Sequence, residues 1–219
     1  MMCMRDLLPG AVAVAVADAS AWAEEPLPEE AATLSERAVP ARRREFRAGR
    51  ACARRAMTAL GLPPVPVPAG RDRAPLWPPR IVGSISHTGD YCAAAVARSG
   101  AVRSLGIDAE DNLELDEPTR QLVCLPEEEE WWRGPGGSEP YWPTVFFSAK
   151  ESVYKAWFPL VGGWLGFHDV RVEPDPHAGT FTARILAPHR RPDLAPEVLH
   201  GRFAVSPDLV RTAVVVPAD

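Results

Sequence analysis

Hydrophobic positions follow two periods along the chain. Val12, Val14 and Val16 recur at every second residue, which predicts a half-buried strand with valines inward and alanines outward. An acidic, alanine-rich stretch, Ala21 to Ala38, reads as helical or irregular. Pro40 then fits the first turn of a helix running to about Leu60, with Gly61 as its stop. Phe46, Ala53, Met57 and Leu60 form its apolar stripe, and Arg43, Arg47, Arg50 and Arg54 form a second stripe at the same period. A proline-stiffened loop, Leu62 to Pro79, leads into a strand at Ile81–Ser86, a turn at His87–Asp90, a strand at Tyr91–Ala97 and another at Leu105–Glu110. Residues 126–143, rich in Pro, Gly and Glu, are expected to include a mobile loop, and a short helix from Ala149 to Phe158 is expected to stop at Pro159. Strands follow around Val170–Glu173, Thr180–Leu186, Gly201–Val205 and Leu209–Val216. No sequence repeat is evident, yet each half carries one helix and several strands. The pattern predicts an α+β protein of two similar lobes, 1–100 and 101–219, divided at Ser99-Gly100.

Length and composition sharpen this. The 219 residues suffice for a sizeable core, and 46% hydrophobic with 24% charged residues is ordinary for a globular protein. A net charge of −5 gives nucleic acid no general attraction. Between Arg42 and Arg55, however, stand seven arginines and one acid, Glu45, which points to a local anion site. Cys3, Cys52, Cys92 and Cys124 form no Cys-x-x-Cys pair and read as free thiols of a cytoplasmic protein. Arg5 and the apolar run after it imitate a secretion signal, but Asp6 and Pro9-Gly10 interrupt it, and no run approaches a membrane span.

Four patterns carry chemistry, each with an ordinary structural alternative. In Gly106-Ile107-Asp108-Ala109-Glu110 the two carboxylates share one strand face, with Leu105 and Ile107 on the other. Adjacent carboxylates repel unless a cation joins them, and hard oxygen donors suit Mg²⁺; the alternative is a charged strand edge facing water. In Phe147-Ser148-Ala149-Lys150-Glu151-Ser152-Val153-Tyr154-Lys155-Ala156, Glu151 would complete a carboxylate set while Lys150 and Lys155 address phosphates. Alternatively, Ser148 and Glu151 form a helix capping box, and Glu151 with Lys155 a helical ion pair. Ser86-His87-Thr88-Gly89 offers donors to a phosphate oxygen, or is merely a turn. The arginine helix grips a phosphate by guanidinium forks, or is a solvated basic face.

Together, in this order, the four patterns resemble the Sfp-type phosphopantetheinyl transferases, actinobacterial members included. The family's G-[IV]-D-x-E stands as Gly106 to Glu110, its [FW]-[ST]-x-K-E-[SA]-x-x-K-A as Phe147 to Ala156, and its Ser-His turn as Ser86-His87. Its arginine helix stands as Arg42 to Arg54, and its Trp-Pro as Trp77-Pro78. The resemblance implies a pseudo-dimer of two α+β lobes with the active site in the cleft between them. It implies a cytoplasmic, monomeric enzyme that transfers 4'-phosphopantetheine from coenzyme A to a serine of an apo acyl or peptidyl carrier protein, for polyketide, peptide or fatty-acid synthesis. Asp108, Glu110 and Glu151 would hold Mg²⁺, with Mn²⁺ an alternative. His87 and Lys155 would contact phosphate oxygens, Ser86 would bind coenzyme A with them, and Arg42 and Arg50 would take the 3'-phosphate. Glu151 is the proposed base, and Lys150 would stand beside the metal set. Relatives carry a phosphate-binding lysine near the position of Ala69, for which Arg71 or Arg73 would substitute. Cys124 to Trp142, with Trp131 and Trp132, would offer a carrier docking surface, or else core tryptophans behind an acidic helix start. Two other readings compete: a different Mg²⁺ enzyme acting on nucleotide pyrophosphates, and a nucleic-acid-binding module built on the arginine helix. Neither nucleic acid nor membrane is an expected partner.

Overall fold

A computed structural model of the chain describes residues 2–70, 72–134, 141–188 and 191–218. The chain divides into two compact units, one built on Pro9–Arg103 with the C-terminal residues from Pro217, the other on Ser104–Val216 with the N-terminal segment through Leu8. The first eight residues thus belong with the second half rather than the first. The cause is apolar: Met4 and Leu7 of a short 3-10 turn are buried, and the turn packs against the strand Val198–Val205.

The first unit holds an antiparallel sheet ordered β1-β3-β2, with β1 (Val12–Val16), β2 (Ile81–Thr88) and β3 (Tyr91–Arg98). Helices α1 (Ala19–Ala23), α2 (Pro28–Ala31) and α3 (Pro40–Ala59) accompany it. The strand at Val12 is present and Val12 is buried, but the alanines do not form the outward face expected of them. Ala13, Ala15 and Ala17 meet α3, where Ala51, Cys52, Ala53, Ala56 and Met57 form the core, while Val16 is 45% exposed. A helix whose inner face is alanine and cysteine lies close to the sheet, and only small residues fit beneath it. Leu60 caps α3, and Gly61 turns the chain with φ 69°. The hairpin between β2 and β3 is tighter than expected: Thr88 pairs with Tyr91 across a Gly89-Asp90 loop, so His87 is a strand residue paired with Cys92.

The second unit holds a five-stranded sheet ordered β4-β8-β7-β6-β5, with β4 (Val102–Asp111), β5 (Val170–Asp175), β6 (Thr180–Ile185), β7 (Val198–Val205) and β8 (Leu209–Pro217). Its helices are α4 (Glu117–Val123), α5 (Pro126–Arg133) and α6 (Trp142–Val161). Of residues 126–143, expected to include a loop, Pro126–Arg133 form α5 and Trp142 and Pro143 open α6, while 135–140 lie outside the described residues. α6 begins at Trp142, well before Ala149, because Trp142, Val145 and Phe146 extend its buried stripe against the sheet. Pro159 falls in the last turn, where it forgoes only the one bond its own N–H would make, and the helix runs on to Val161 and ends at Gly162 with φ 75°. Trp142 is 2% exposed and Trp131 stands edge-on to it at 4.8 Å, so the docking expectation for these tryptophans gives way to the core alternative.

A short repeat does exist, contrary to the expectation of none. Leu27-Pro28-Glu29-Glu30 opens α2, and Leu125-Pro126-Glu127-Glu128 opens α5. In each, the second glutamate turns back to accept the leucine N–H, at 2.9 Å for Glu30 and 2.8 Å for Glu128. Both glutamates are buried, and each binds a basic residue of the long helix in its own unit: Glu30 pairs with Arg54, and Glu128 with Lys150. Each also accepts a backbone N–H from an extended segment, Val67 at 3.0 Å and Val172 at 2.8 Å. A buried carboxylate is tolerable only when charge and hydrogen bonds replace its water, and the two units meet that demand in the same way.

Candidate active site

In the second unit the chemistry rests on a glycine. Ser104, Gly106, Asp108 and Glu110 share one face of β4. A Cβ on Gly106 would stand 2.0 Å from the Ser152 carbonyl oxygen and 2.7 Å from the Ala156 nitrogen, so α6 lies directly on this strand. Ser104 Oγ seals the contact by donating to the Ala156 carbonyl at 2.6 Å. The close approach brings Lys155 onto Asp108, Nζ to Oδ1 at 2.6 Å.

The electrostatics show that Glu110 and Glu151 belong to this group. Burial pushes Glu110 up to about 8, with the charge of Asp108 the next cause and that of Glu151 a smaller one. Burial also raises Glu151, Lys155 opposes the rise, and Asp108 adds to it. Burial works against the charge on Lys155, but Asp108, Glu151 and Glu110 outweigh it and hold the ammonium above the usual lysine range. One cation thus faces three carboxylates. Among the described residues, no three His, Cys, Asp or Glu side chains form a preassembled metal cage. Mg²⁺ seldom needs one: it takes one or two carboxylates and completes its shell with water and substrate phosphate. An open set of hard oxygens with unbalanced negative charge fits that ion.

Two expectations for α6 change. Ser148 lies inside the helix, its hydroxyl bonded to the Thr212 hydroxyl at 2.9 Å, so the Ser148–Glu151 capping box does not form. Glu151 is left without that structural purpose. Lys150, expected beside the phosphates, instead points into the core, where its ammonium donates to Glu128 at 2.7 Å and to the Val123 carbonyl at 2.8 Å. Adjacent residues on a helix do not share a face, so Lys150 cannot follow Glu151 to the site. Beside Glu151, a pocket of about 190 Å³ is lined mainly by Tyr154, Trp164, Leu165, Phe167 and Val170.

In the first unit, Arg42 Nη1 donates to His87 Nε2 at 3.1 Å, and Glu45 stands 3.6 Å from both. Since arginine only donates, this contact makes Nε2 the acceptor and places the ring proton on Nδ1. Arg50 is buried, its guanidinium stacked 4.3 Å over Phe46 and its Nε donating to the Val67 carbonyl at 2.6 Å. Burial pulls it down to about 10; Glu30 opposes that shift, and the nearby charge of Arg42 adds to it. The remaining arginines disperse: Arg54 is buried against Glu30 and Glu24, Arg47 pairs with Glu25 at 3.1 Å, and Arg55 with Asp18 at 2.8 Å. The stripe is therefore not one solvated basic face. Ser86 is buried and, by strand alternation, points away from the face that carries His87. Arg73 occupies the turn after Gly70 with φ 62° and, among the described residues, forms no ion pair; Arg71 lies outside the described residues. Sequence reasoning missed Glu30 and Glu128, although Leu-Pro-Glu-Glu occurring twice was a signal for both.

Residues 29–97 match the 4'-phosphopantetheinyl transferase N-terminal domain, and residues 104–206 match the 4'-phosphopantetheinyl transferase superfamily. The chain is 48% identical to 4'-phosphopantetheinyl transferase Svp of Streptomyces mobaraensis, over 87% of this chain and 78% of the relative. It is 41% identical to 4'-phosphopantetheinyl transferase PptT of Mycobacterium tuberculosis, over 87% and 86%, and 38% identical to 4'-phosphopantetheinyl transferase Npt of Nocardia iowensis, over 83% and 85%. Among the described residues, no helix is long and apolar enough to cross a membrane. With both halves matched, the chain belongs to the 4'-phosphopantetheinyl transferases, the enzymes that move phosphopantetheine from coenzyme A to a carrier protein.

Proposed function

We propose that Asp108, Glu110 and Glu151 hold Mg²⁺ for this transfer, that Lys155 and His87 bind phosphate oxygens, and that Arg42 and Arg50 take the 3'-phosphate of coenzyme A. The observation that carries the reading is the three-carboxylate, one-lysine group held on β4 by Gly106. When bound, Mg²⁺ neutralises the pyrophosphate and stabilises the departing adenosine 3',5'-bisphosphate.

The chain's own residues do the rest. Lys155 already carries its charge and releases Asp108 to turn toward phosphate as the ligand arrives. His87, with Nε2 exchanging Arg42 for a phosphate oxygen, donates once protonated, and the phosphate's own charge favours that protonation. Arg50 presents its Nη groups, its Nε being fixed on Val67. Glu151 accepts the serine proton directly or through water. The apolar pocket beside Glu151 suits the uncharged pantetheine arm, which extends from the attacked phosphate. Lys150 keeps its ammonium in the core on Glu128, away from the phosphates, and only lines the edge of that pocket. The partner is an apo acyl or peptidyl carrier protein, and the active form is a cytoplasmic monomer.

Initial rates against Mg²⁺ concentration test the assignment. Asp108→Ala and Glu151→Gln should each lower turnover by orders of magnitude with melting temperatures close to wild type. Near-normal turnover of Glu151→Gln would remove Glu151 from both roles.

A further inference from the structure

We infer that Glu30 is a positioning residue for the coenzyme A phosphate site, acting on Arg50 through the Val67 backbone. The inference rests on the reading of Arg50 as a 3'-phosphate ligand. Glu30 touches nothing in that site itself. It is fully buried at the start of α2, and its two oxygens serve three donors: the Leu27 N–H at 2.9 Å, the Arg54 guanidinium, and the Val67 N–H at 3.0 Å. The Val67 backbone is held on its carbonyl side as well, in the next peptide unit, because that carbonyl accepts Arg50 Nε at 2.6 Å. Val67 is itself fully buried, and Pro66 and Pro68 flank it, so its neighbours offer no N–H that could substitute.

The consequence is geometric. Arginine has five N–H donors in a rigid plane. In Arg50 the Nε donor is committed to Val67, and one face of the plane lies on Phe46. Those two contacts fix where the Nη groups point. The Val67 carbonyl can hold Nε only while the loop stays against α3, and the groups that hold it there are Glu30 and, beneath Glu30, Arg54 one helical turn beyond Arg50. Thr33 adds a second tie by accepting the Ala69 N–H at 3.0 Å. Glu30 thus converts a flexible cation into a pre-aimed fork, which reduces the ordering cost of binding an anion.

The test compares coenzyme A with its 3'-dephospho form by calorimetry on the full chain. Arg50→Ala decides the underlying reading, and should erase a preference of roughly ten- to a hundredfold for coenzyme A. Glu30→Gln should lose most of the same preference while binding dephospho-coenzyme A as wild type does, and the double variant should lose little more than Arg50→Ala alone. Should Glu30→Gln fail to fold, Val67→Pro removes the loop N–H that Glu30 accepts, keeps the Glu30–Arg54 pair and the Leu27 N–H contact, and should give the same loss. If Arg50→Ala erases the preference but Glu30→Gln or Val67→Pro preserves it, or weakens both ligands alike, Glu30 is only a structural anchor and the inference falls. If Arg50→Ala itself leaves the preference intact, Arg50 is not the ligand and both readings fall.

Discussion

Replacing Gly106 with alanine isolates the contact on which the carboxylate group depends. The new Cβ would lie 2.0 Å from the Ser152 carbonyl oxygen, and ordinary contact begins near 3.4 Å, so β4 and α6 must separate by roughly 1.4 Å locally. The obstacle is helix backbone rather than a side chain, so no rotamer change relieves it. Overpacking of this kind costs about 1–3 kcal/mol, and the upper end applies here. For a chain of this length each kcal/mol lowers the melting temperature by about 2–4 °C, giving a fall of roughly 6–12 °C. Function should suffer more. Lys155 and Glu151 ride on α6, Asp108 and Glu110 on β4, and a misplacement of about 1 Å at a reacting centre costs on the order of a hundredfold. The assay is turnover of an apo carrier at saturating coenzyme A and Mg²⁺, measured well below the melting transition, together with thermal unfolding. The preference for coenzyme A over its dephospho form, which belongs to the first unit, should survive. Turnover within about threefold of wild type and an unchanged melting temperature would refute the seating argument, since surface-like tolerance at this position is incompatible with backbone contact.

Other expectations follow from the same groups. Lys150→Met should strip Glu128 of its buried partner and cost about 3–5 kcal/mol in urea unfolding, with the Glu128→Gln/Lys150→Met pair recovering part of it; lost turnover at unchanged stability would return Lys150 to the phosphate site. Glu110 supplies a pH signature. Burial, then the charge of Asp108, raises it from 4.5 to about 8, so it contributes stability fully below pH 4.5 and loses it as pH climbs toward 8. Metal-free protein should therefore weaken in urea across that window and Glu110→Gln should flatten the slope; an equal slope in both proteins contradicts the assignment. Mg²⁺ should release protons on binding within the same window, most strongly at its acidic end, as followed by pH-indicator titration.

The sequence revealed elements and motifs better than the positions of side chains. The eight strands, the arginine helix and the carboxylate pair on one strand face were all legible, because periods of two and 3.6 residues are local signals. Facing was not. The valines of β1 look like its inner face until the alanine surface of α3 is known, and that is a tertiary fact. The length of α6 was hidden because Trp142, Val145 and Phe146 read as loop flank until a sheet is placed against them. Lys150 and Arg50 illustrate a related limit: a basic residue in a motif looks like a ligand, whereas burial beside Glu128 or Val67 shows it serving the scaffold in whole or in part. The repeat Leu-Pro-Glu-Glu was visible in the letters, but it gained meaning only when both second glutamates proved buried and ion-paired.

The central claim is that this chain loads phosphopantetheine onto a carrier serine through the Asp108–Glu110–Glu151–Lys155 group. Intact mass spectrometry of apo acyl and peptidyl carrier proteins after incubation with the protein, coenzyme A and Mg²⁺ tests it most directly. The account predicts a gain of one phosphopantetheine per carrier, confined to a single serine, lost with chelator and with Asp108→Ala. No mass gain on any of a broad panel of carriers by the folded wild-type protein, or an undiminished gain with Asp108→Ala, would contradict it.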